Sequence, residues 1–277
     1  MNVSRRIEVD IVVLGSGAAG LTAALTASLA GLRAVVLEHE PVVGGTSARS
    51  SGTVWVPGSH YLPSASANDD RDRAARYLDA LVGEKGESAM REAFLESAPL
   101  MVADLDRRAG IEFRPYRAAP DYRQDCPGAA GGGRPLEPLP FDGRLLGSDF
   151  SRLAWPLPEL MVFGGMMVTR GEALELLRAD RSPRAAWLGM RLVGRYLHDR
   201  FRYRRGTRLV LGNALVGRLF RALLARQVSI LTGARADRLV KNDGRVSGVE
   251  MTYEGNAVTI EARRGVVLAG GGFPADA

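Results

Sequence analysis

The sequence predicts an α/β fold in which helices flank a parallel sheet, with a small antiparallel β-meander and an α+β region added to it. Near the start, an apolar run at residues 9–14 and a second predicted buried strand at 33–38 enclose a glycine-rich turn and an alanine- and leucine-rich segment at 18–30. Apolar runs without alternation are typical of parallel strands buried on both faces. Late in the chain, several β-like segments precede a third apolar run that ends in glycines.

Size and composition indicate a folded protein with more than one core. The chain has 277 residues, with 46% hydrophobic and 25% charged residues, which is the balance of a globular protein rather than of a disordered one. No stretch reaches the roughly 18 apolar residues of a membrane span. Cys126 is the single cysteine, so we expect no intrachain disulfide, no metal site built on thiolates, and a reducing cytoplasmic location.

The chain is basic, with a formal net charge of +6 and a pI near 9.9. Lys85 and Lys241 are the only lysines, and the arginines are spread along the chain. Because no nucleic-acid-binding signature accompanies the charge, we expect no nucleic-acid partner. The dense run HDRFRYRRGTR at residues 198–208 is interpreted as a solvated helix end or a lid to a charged surface, with anionic lipid or a partner protein as the alternative.

The order of elements follows from local pattern. The strand, turn, helix and strand of residues 9–38 form one right-handed βαβ unit, with Gly31 at the helix C-cap. A Gly-, Ser- and Pro-rich segment at 41–68 indicates a binding loop. Further helices are predicted at 69–81, 89–109, 170–205 and 213–227, and further strands at 228–232, 234–241, 245–253, 257–262 and 265–269, with a hairpin turn at 242–244. The Pro-, Gly- and aromatic-rich segment 111–167 is predicted to be ordered and to face a substrate.

The glycine turn matches G-x-G-x-x-G, with Gly15, Gly17 and Gly20 around Ala18 and Ala19. The first glycine permits a tight turn, the second lets the backbone approach a pyrophosphate, and the third lets the helix pack closely on the strand. Amides at the helix N-terminus then face the phosphates. The pattern predicts a Rossmann-like dinucleotide-binding unit.

Glu38 stands eighteen residues after Gly20, at the end of the second predicted strand. A carboxylate there accepts hydrogen bonds from ribose hydroxyls and repels a 2′-phosphate, which disfavours NADP. The sequence Gly44-Gly45-Thr46-Ser47 follows and allows a second close approach of backbone to the dinucleotide. This combination favours FAD over NAD.

Longer motifs carry a resemblance to a known family. The patterns E-x-x-x-x-x-G-G-T-S and LAGGGF resemble those of the fumarate reductase and 3-ketosteroid dehydrogenase superfamily of flavoproteins. The likeness to the 3-ketosteroid Δ1-dehydrogenase branch is carried by GGTSARSSGTVWVPGS (44–59), APDYRQDCPG, PFDGRLLG, PLPELMVFGGMMVTR (156–170) and GTRLVLGNALVGRLF (206–220).

The resemblance implies FAD held without a covalent bond, because relatives with covalent flavin have a histidine where this chain has Ser47, Ala48 and Arg49. It also implies a role for each part of the site. Glu38 would bind the adenosine ribose, the backbone at Ala236 would meet adenine, and Gly270 and Gly271 would close over the nucleotide. Gly44, Gly45, Thr46 and Ser47 would run past the pyrophosphate and flavin.

The resemblance further implies dehydrogenation of a small apolar substrate such as a 3-ketosteroid, with hydride passing from ring carbon C1 to flavin N5 while a tyrosine removes a proton from C2. Tyr122, in PDYRQ, is the candidate for the tyrosine that assists the base, and Tyr116 is the second choice. Trp55, Met166 and Met167 would line an apolar pocket, although core packing is the favoured interpretation. The electron acceptor is not indicated.

The expected organisation is an FAD-binding domain in two parts, residues 1–110 and 206–277, around a partial substrate (cap) region at 111–205. In relatives the main catalytic tyrosines follow the point that matches Ala277, so we expect an incomplete α+β cap domain and a fragment that is inactive alone. Two alternatives stay open: a fumarate reductase or succinate dehydrogenase type of flavoprotein that acts on another enone or a dicarboxylate, and a non-catalytic FAD-binding fragment.

Overall fold

The structure is a computed structural model that describes residues 5–62 and 64–272. Its strands are β1 (Arg5–Leu14), β2 (Ala34–Glu38), β3 (Val54–Trp55), β4 (Phe113–Pro115), β5 (Pro135–Pro138), β6 (Phe141–Asp142), β7 (Arg208–Leu209), β8 (Ser229–Thr232), β9 (Arg235–Asn242), β10 (Arg245–Tyr253) and β11 (Asn256–Leu268). Its α-helices are α1 (Ala18–Leu29), α2 (Gly45–Ala48), α3 (Ser64–Val82), α4 (Ser88–Ala109), α5 (Arg170–Leu176), α6 (Pro183–Arg200) and α7 (Leu211–Ala225). No helix in these two stretches is both long and apolar enough to cross a bilayer.

Internal contacts divide the chain into two units. Unit 1 comprises Met1–Ser51 and Pro140–Ala277, and unit 2 comprises Gly52–Leu139. These limits differ from those expected at residues 110 and 205, because α3 and α4 pack against each other inside unit 2 rather than extending the first domain. The functional role expected for each segment stays a prediction.

Unit 1 contains a six-stranded sheet in the order β8-β2-β1-β11-β10-β9. The first four strands are parallel to one another, whereas β10 pairs antiparallel with both β9 and β11. All five residues of β2 are buried: the apolar run 34–37 packs in the core, and Glu38 at the end of the strand is buried as a polar residue. The predicted α/β fold, with a parallel sheet and an antiparallel meander, is confirmed.

The last strand corrects one prediction. Residues 257–262 and 265–269 were expected to form two strands, but they belong to the single strand β11. The reason is that β1 begins at Arg5, four residues before the predicted start, and its additional residues pair with the first part of β11. A register shift between Val9 and Ile11 accommodates Gly265, whose φ is 146°, so the strand continues past the glycine.

The observed helices agree with those predicted from the sequence, except between residues 170 and 205. That segment is two helices, because Thr169 caps α5 with Glu172 in a capping box and Ser182 caps α6 immediately before Pro183. The hairpin at 242–244 is confirmed: Asp243 and Gly244 have φ angles of 49° and 78°, which suit a two-residue turn between right-twisted strands.

Unit 2 combines α3 and α4 with a three-stranded antiparallel sheet in the order β3-β5-β4. Its interior contains a charged group, since Arg134 is only 1% exposed. This guanidinium holds the loop that follows β4, as described below.

Candidate cofactor site

The glycine turn lies between β1 and α1, and two of its positions require glycine on steric grounds. A Cβ on Gly15 would lie 2.3 Å from the Ala269 carbonyl oxygen, and one on Gly20 would lie 2.0 Å from the Gly15 carbonyl oxygen. The Gly15 amide also donates to the Leu37 carbonyl (2.7 Å). The turn is therefore packed between the ends of β2 and β11, as the motif predicts.

Ser16 joins the glycine turn to the acid at the end of β2. The Ser16 amide and hydroxyl both donate to Glu38 Oε2, at 2.8 and 2.5 Å. The same hydroxyl accepts a hydrogen bond from the Gly44 amide (2.9 Å). Ser16 is fully buried and Glu38 is only 7% exposed, so three loops meet at one hydroxyl. The carboxylate faces the turn, not away from it.

The second glycine pair lies directly on the first. Gly44 has a φ of 126°, and a Cβ there would lie 2.7 Å from Ala48 Cβ, so glycine is required. Ser47 Oγ accepts from the Ala18 amide (2.9 Å), which satisfies one of the orphan donors at the start of α1. Thr46 is exposed. The segment 44–47 thus follows the N-terminus of α1, where the sequence predicts the cofactor.

A buried arginine, Arg205, stabilises the second glycine loop through Asn213. Arg205 donates to Asn213 Oδ1 (3.1 Å), and Asn213 Nδ2 donates to the carbonyls of Ala48 (3.1 Å) and Ala154 (2.9 Å). Burial lowers the pKa of Arg205 to about 10. The arrangement fixes the end of α2, and with it the position of Ser47.

The expected contacts of the adenosine end also lie in unit 1. The Ala234 amide donates to the Glu38 carbonyl (2.8 Å) and the Gly233 amide to the Glu40 carbonyl (2.9 Å). The start of β9 is therefore held beside the end of β2, and Ala236 follows two residues later, exposed and paired with Met251. Its contact with adenine stays a prediction.

Backbone without side chains surrounds the N-terminus of α1. A Cβ on Gly17 would meet only Ser47 Oγ, at 3.5 Å, and one on Gly45 would come no closer than 3.8 Å to Gly17. Cβ atoms on Gly270 and Gly271 would meet no heavy atom within 4 Å among the described residues. Amides of the first helical turn have no acceptor inside a helix. Glycine backbone and helix amides suit a diphosphate, and the nearby Glu38 carboxylate suits a ribose joined to it.

Tyr122, the predicted catalytic residue, lies in unit 2 and is fully exposed, so it is not a packing aromatic. Its neighbour Asp121 is buried and accepts from Arg134 (2.6 Å), Trp55 Nε1 (2.7 Å) and the Ala130 amide (2.9 Å). This network fixes the backbone on which Tyr122 is displayed. The catalytic role of Tyr122 stays a prediction.

The other residues predicted to line a pocket contact neighbours within the unit to which each belongs. Met166 and Met167 are 7% and 3% exposed, which agrees with core packing. Trp55 stacks on Phe94 with ring centroids 6.0 Å apart. Tyr116 is partly buried.

Ser16 and Arg134, like Arg205 and Asn213 behind the second glycine loop, are residues whose structural role the sequence reasoning missed. Ser16 occupies a variable position of the glycine motif, and only its small hydroxyl hints at a role. Arg134 follows a run of glycines with no pattern that marks it as buried.

Parallel strands, a glycine turn at a helix N-terminus and an acid at the end of β2 define a dinucleotide-binding α/β protein. A family model described as an FAD binding domain matches residues 10–277. The chain therefore belongs to this FAD-binding family, and its cofactor is FAD.

The chain is similar to known dehydrogenases along most of its length. It is 36% identical to a 3-oxosteroid 1-dehydrogenase of Mycobacterium tuberculosis, over 96% of this chain and 47% of that protein. It is 32% identical to a 4-oxocyclohex-2-ene-1-carboxylate 5-dehydrogenase of Sinomonas cyclohexanicum, over 98% of this chain and 45% of that protein. The crystal structure of a 3-ketosteroid Δ1-dehydrogenase of Sterolibacterium denitrificans, in complex with 1,4-androstadiene-3,17-dione, superposes with a TM-score of 0.86 and 34% identity, covering 96% of this chain and 48% of that one. The chain thus spans about half the length of these relatives.

Proposed function

We propose that this chain is the FAD-binding part of an oxidoreductase that dehydrogenates a cyclic ketone, with a 3-ketosteroid as the favoured substrate. The observation that carries the proposal is the open glycine surface at the start of α1, with the Glu38 carboxylate held against it by Ser16. The long similarity to 3-oxosteroid 1-dehydrogenases supports the choice of reaction.

Each part of the site is proposed to bind one part of the cofactor. The amides of α1 bind the pyrophosphate, and Glu38 accepts from the ribose. Gly44, Gly45 and Ser47 line the path towards the flavin, and Gly270 and Gly271 cover it. Because Ser47, Ala48 and Arg49 provide no histidine, the cofactor is held without a covalent bond. When bound, FAD supplies the acceptor for a hydride.

Tyr122 is proposed to assist the proton-abstracting base. A phenol has a pKa near 10 and needs help to take part in proton transfer near neutral pH. The exposed position of Tyr122 leaves its hydroxyl accessible, and the buried Asp121 next to it keeps the backbone in place. The electron acceptor is not indicated by these residues.

The substrate class rests on what the relatives act on. Their named substrates, a 3-oxosteroid and a 4-oxocyclohexene carboxylate, share a ketone on a six-membered ring. The steroid is favoured because the higher identity and the structure with a TM-score of 0.86 belong to steroid enzymes. A dicarboxylate substrate would instead need cationic side chains at the pocket. A cytoplasmic location, which the single cysteine suggests, is part of the same proposal.

Two measurements test the proposal. FAD binding is measured on the 277-residue chain by absorption near 450 nm, and acid precipitation should release the flavin into the supernatant. Turnover is measured on the protein as its gene encodes it, by dye reduction with 4-androstene-3,17-dione, 4-oxocyclohexanecarboxylate or succinate. Reduction with the steroid supports the assignment, and reduction with succinate alone would replace it by the dicarboxylate alternative. FAD binding without any reduction would indicate a non-catalytic protein, and no FAD binding at all would refute the site.

A further inference from the structure

Helix α6 is apolar on two opposite sides. One side faces the core of unit 1, where Leu192 and Tyr196 pack with Met166 in a buried cluster. The other side carries Trp187, Met190, Leu197 and Phe201, which are 58%, 67%, 57% and 87% exposed. A helix on the surface of a protein normally has one apolar face, so the second face requires an explanation.

The exposed residues of α6 lie along one side of the helix, as a stripe. They follow one another at intervals of three, seven and four residues, which places them within an arc of roughly 80° on a helix of 3.6 residues per turn. The preceding helix α5, which packs against α6, leaves Leu174 and Leu177 exposed as well (64% and 79%). Six large apolar side chains are thus open to solvent on one helical hairpin. Clusters of this kind mark interaction surfaces.

Arginines lie beside the stripe. Residues 183–208 contain a single acid, Asp199, and eight arginines, at 184, 191, 195, 200, 202, 204, 205 and 208. Asp199 is only 3% exposed and accepts from Thr207, so it does not neutralise the surface. The helical period places Arg184, Arg191 and Arg202 along one border of the stripe.

Two of these arginines have no acid to neutralise them. Arg191 lies over the Trp187 ring, 5.7 Å from its centroid. Neither Arg191 nor Arg202 pairs with a carboxylate anywhere in residues 5–62 and 64–272, whereas Arg184 pairs with Glu175 (3.2 Å). The border of the stripe therefore carries uncompensated positive charge.

We infer that the exposed face of α6, defined by Trp187, Met190, Leu197 and Phe201 with Arg191 and Arg202 at its edge, binds the surface of a membrane that contains anionic lipid. A face with Trp, Phe and Leu beside an arginine border is the composition of helices that lie in the plane of a membrane interface. The aromatic rings enter the boundary between head groups and acyl chains, and the arginines contact lipid phosphates.

Charge complementarity decides against a second copy of this chain. A symmetric dimer through this face would bring the same patch of each copy together, and so would place arginines against arginines. Like charges across an interface are unfavourable. An anionic bilayer supplies both the apolar phase and the opposite charge. The inference does not depend on the proposed catalytic function, since it uses no residue of the cofactor site.

The test is co-sedimentation of the purified 277-residue chain with vesicles. The chain is expected to bind vesicles of 30% phosphatidylglycerol in phosphatidylcholine. Its binding to vesicles of pure phosphatidylcholine should be at least about tenfold weaker. High salt should weaken binding to the anionic vesicles, because exposed charges are then screened. The double variant Met190→Asp/Leu197→Asp should lose at least about tenfold in partitioning. The double variant Arg191→Gln/Arg202→Gln should lose about 30-fold, since each arginine near an anionic surface contributes roughly a factor of five.

The matched control adds the same two charges elsewhere. Met90 and Leu100 on α4 are 68% and 71% exposed, so Met90→Asp/Leu100→Asp should leave vesicle binding unchanged. Trp187 reports insertion directly: brominated lipid should quench the fluorescence of the wild-type chain, and Trp187→Phe should remove most of that quenching while the chain still binds.

Several outcomes would overturn the inference. These are no vesicle binding, equal binding to both vesicle types, an equal loss in the control variant, or quenching that persists in Trp187→Phe. A chain that dimerises in sedimentation analysis, and becomes monomeric in Met190→Asp/Leu197→Asp, would show that the face binds a second copy instead.

Discussion

The Ser16 hydroxyl lies 2.5 Å from Glu38 Oε2 and donates a hydrogen bond to it. Ser16 Oγ also accepts a hydrogen bond from the Gly44 amide. This one hydroxyl therefore holds the acid, the glycine turn and the second glycine loop in one arrangement. A fully buried hydroxyl that both donates and accepts is satisfied on both sides. The carboxylate is therefore positioned before any nucleotide arrives, which reduces the cost of ordering on binding.

Replacing Ser16 with alanine should loosen this arrangement. Ser16→Ala leaves the Gly44 amide without its acceptor and removes one of the donors to Glu38, and a buried group left unpaired costs about 1–3 kcal/mol. We expect the dissociation constant for FAD to rise about tenfold and the free energy of unfolding to fall by about 1–2 kcal/mol. Flavin titration and urea unfolding measure the two effects. Thr26→Ala, at an exposed position of α1, is the control, and equal FAD affinity in both variants would contradict the expectation.

Filling the space next to Gly17 should block the cofactor without disturbing the fold. Gly17 has a φ of −68°, which any residue adopts, and its Cβ direction is open except for Ser47 Oγ. In Gly17→Val the side chain would occupy the place expected for the pyrophosphate, so we predict loss of FAD binding by at least about 100-fold with native circular dichroism. The loss should exceed the small effect of a poor helix cap, about 1 kcal/mol.

Gly131→Val is the matched control for this steric test. A Cβ at Gly131, in unit 2, likewise meets no heavy atom within 4 Å in the described part of the chain. It adds the same bulk on open surface, and FAD affinity should stay within about twofold of the wild type. Retention of FAD by Gly17→Val would show that the phosphates do not approach this glycine.

The sequence was sufficient for the parallel strands and the glycine turn because their causes are local. Residues 11–14 and 34–37 are unbroken apolar runs, and Gly15 and Gly20 are fixed by close backbone contacts that the motif encodes. The continuity of β11 was not accessible in this way. Whether a strand continues through Gly265 depends on the partner strand, and β1 supplies pairing partners on both sides of that glycine.

Side-chain networks between distant residues were the other part that pattern could not supply. Asn213 contacts Ala48 across 165 positions in the chain, and nothing in either segment predicts the contact. Arg134 binds Asp70 and Asp121, whose spacing follows no helical or strand period. The stripe on α6, by contrast, is visible in the sequence, but only the structure shows which of its two apolar sides is exposed.

Removing the buried arginine of unit 2 should be severely destabilising. Arg134 is 1% exposed and bonds Asp70 at 2.8 Å and Asp121 at 2.6 Å, so Arg134→Met leaves carboxylates without their cation in the interior. Breaking a buried pair from one side costs about 3–5 kcal/mol. Urea unfolding followed by tryptophan fluorescence measures the loss.

An exposed ion pair of the same unit provides the comparison. Arg71 bonds Glu96 at 3.3 Å, and both side chains are largely in solvent. Because such pairs contribute about 0–1 kcal/mol, Arg71→Met should change the free energy of unfolding by less than about 1 kcal/mol. Similar losses in the two variants would mean that the Arg134 network is not a structural centre of unit 2.

Tyr61 should make the stability of unit 2 depend on alkaline pH. Burial, together with a hydrogen bond donated to Asp106 (2.9 Å), raises the pKa of Tyr61 to about 12. An unfolded tyrosine ionises near pH 10, so between about pH 10 and 12 the unfolded chain has lost this proton while the folded chain keeps it. The free energy of unfolding should therefore fall as the pH rises through that window.

The variant Tyr61→Phe removes this contribution and isolates it. The wild-type chain should lose stability more steeply than Tyr61→Phe between pH 9.5 and about 11 in urea unfolding. Near neutral pH, Tyr61→Phe is the less stable chain, because the Phe113 amide loses its acceptor and the Asp106 carboxylate loses one of its two side-chain contacts. Tyr122→Phe, which removes a fully exposed phenol, is the matched control and should follow the wild-type curve. Parallel curves for wild type and Tyr61→Phe would mean that the phenol is not held by burial and Asp106, since both causes act only in the folded state.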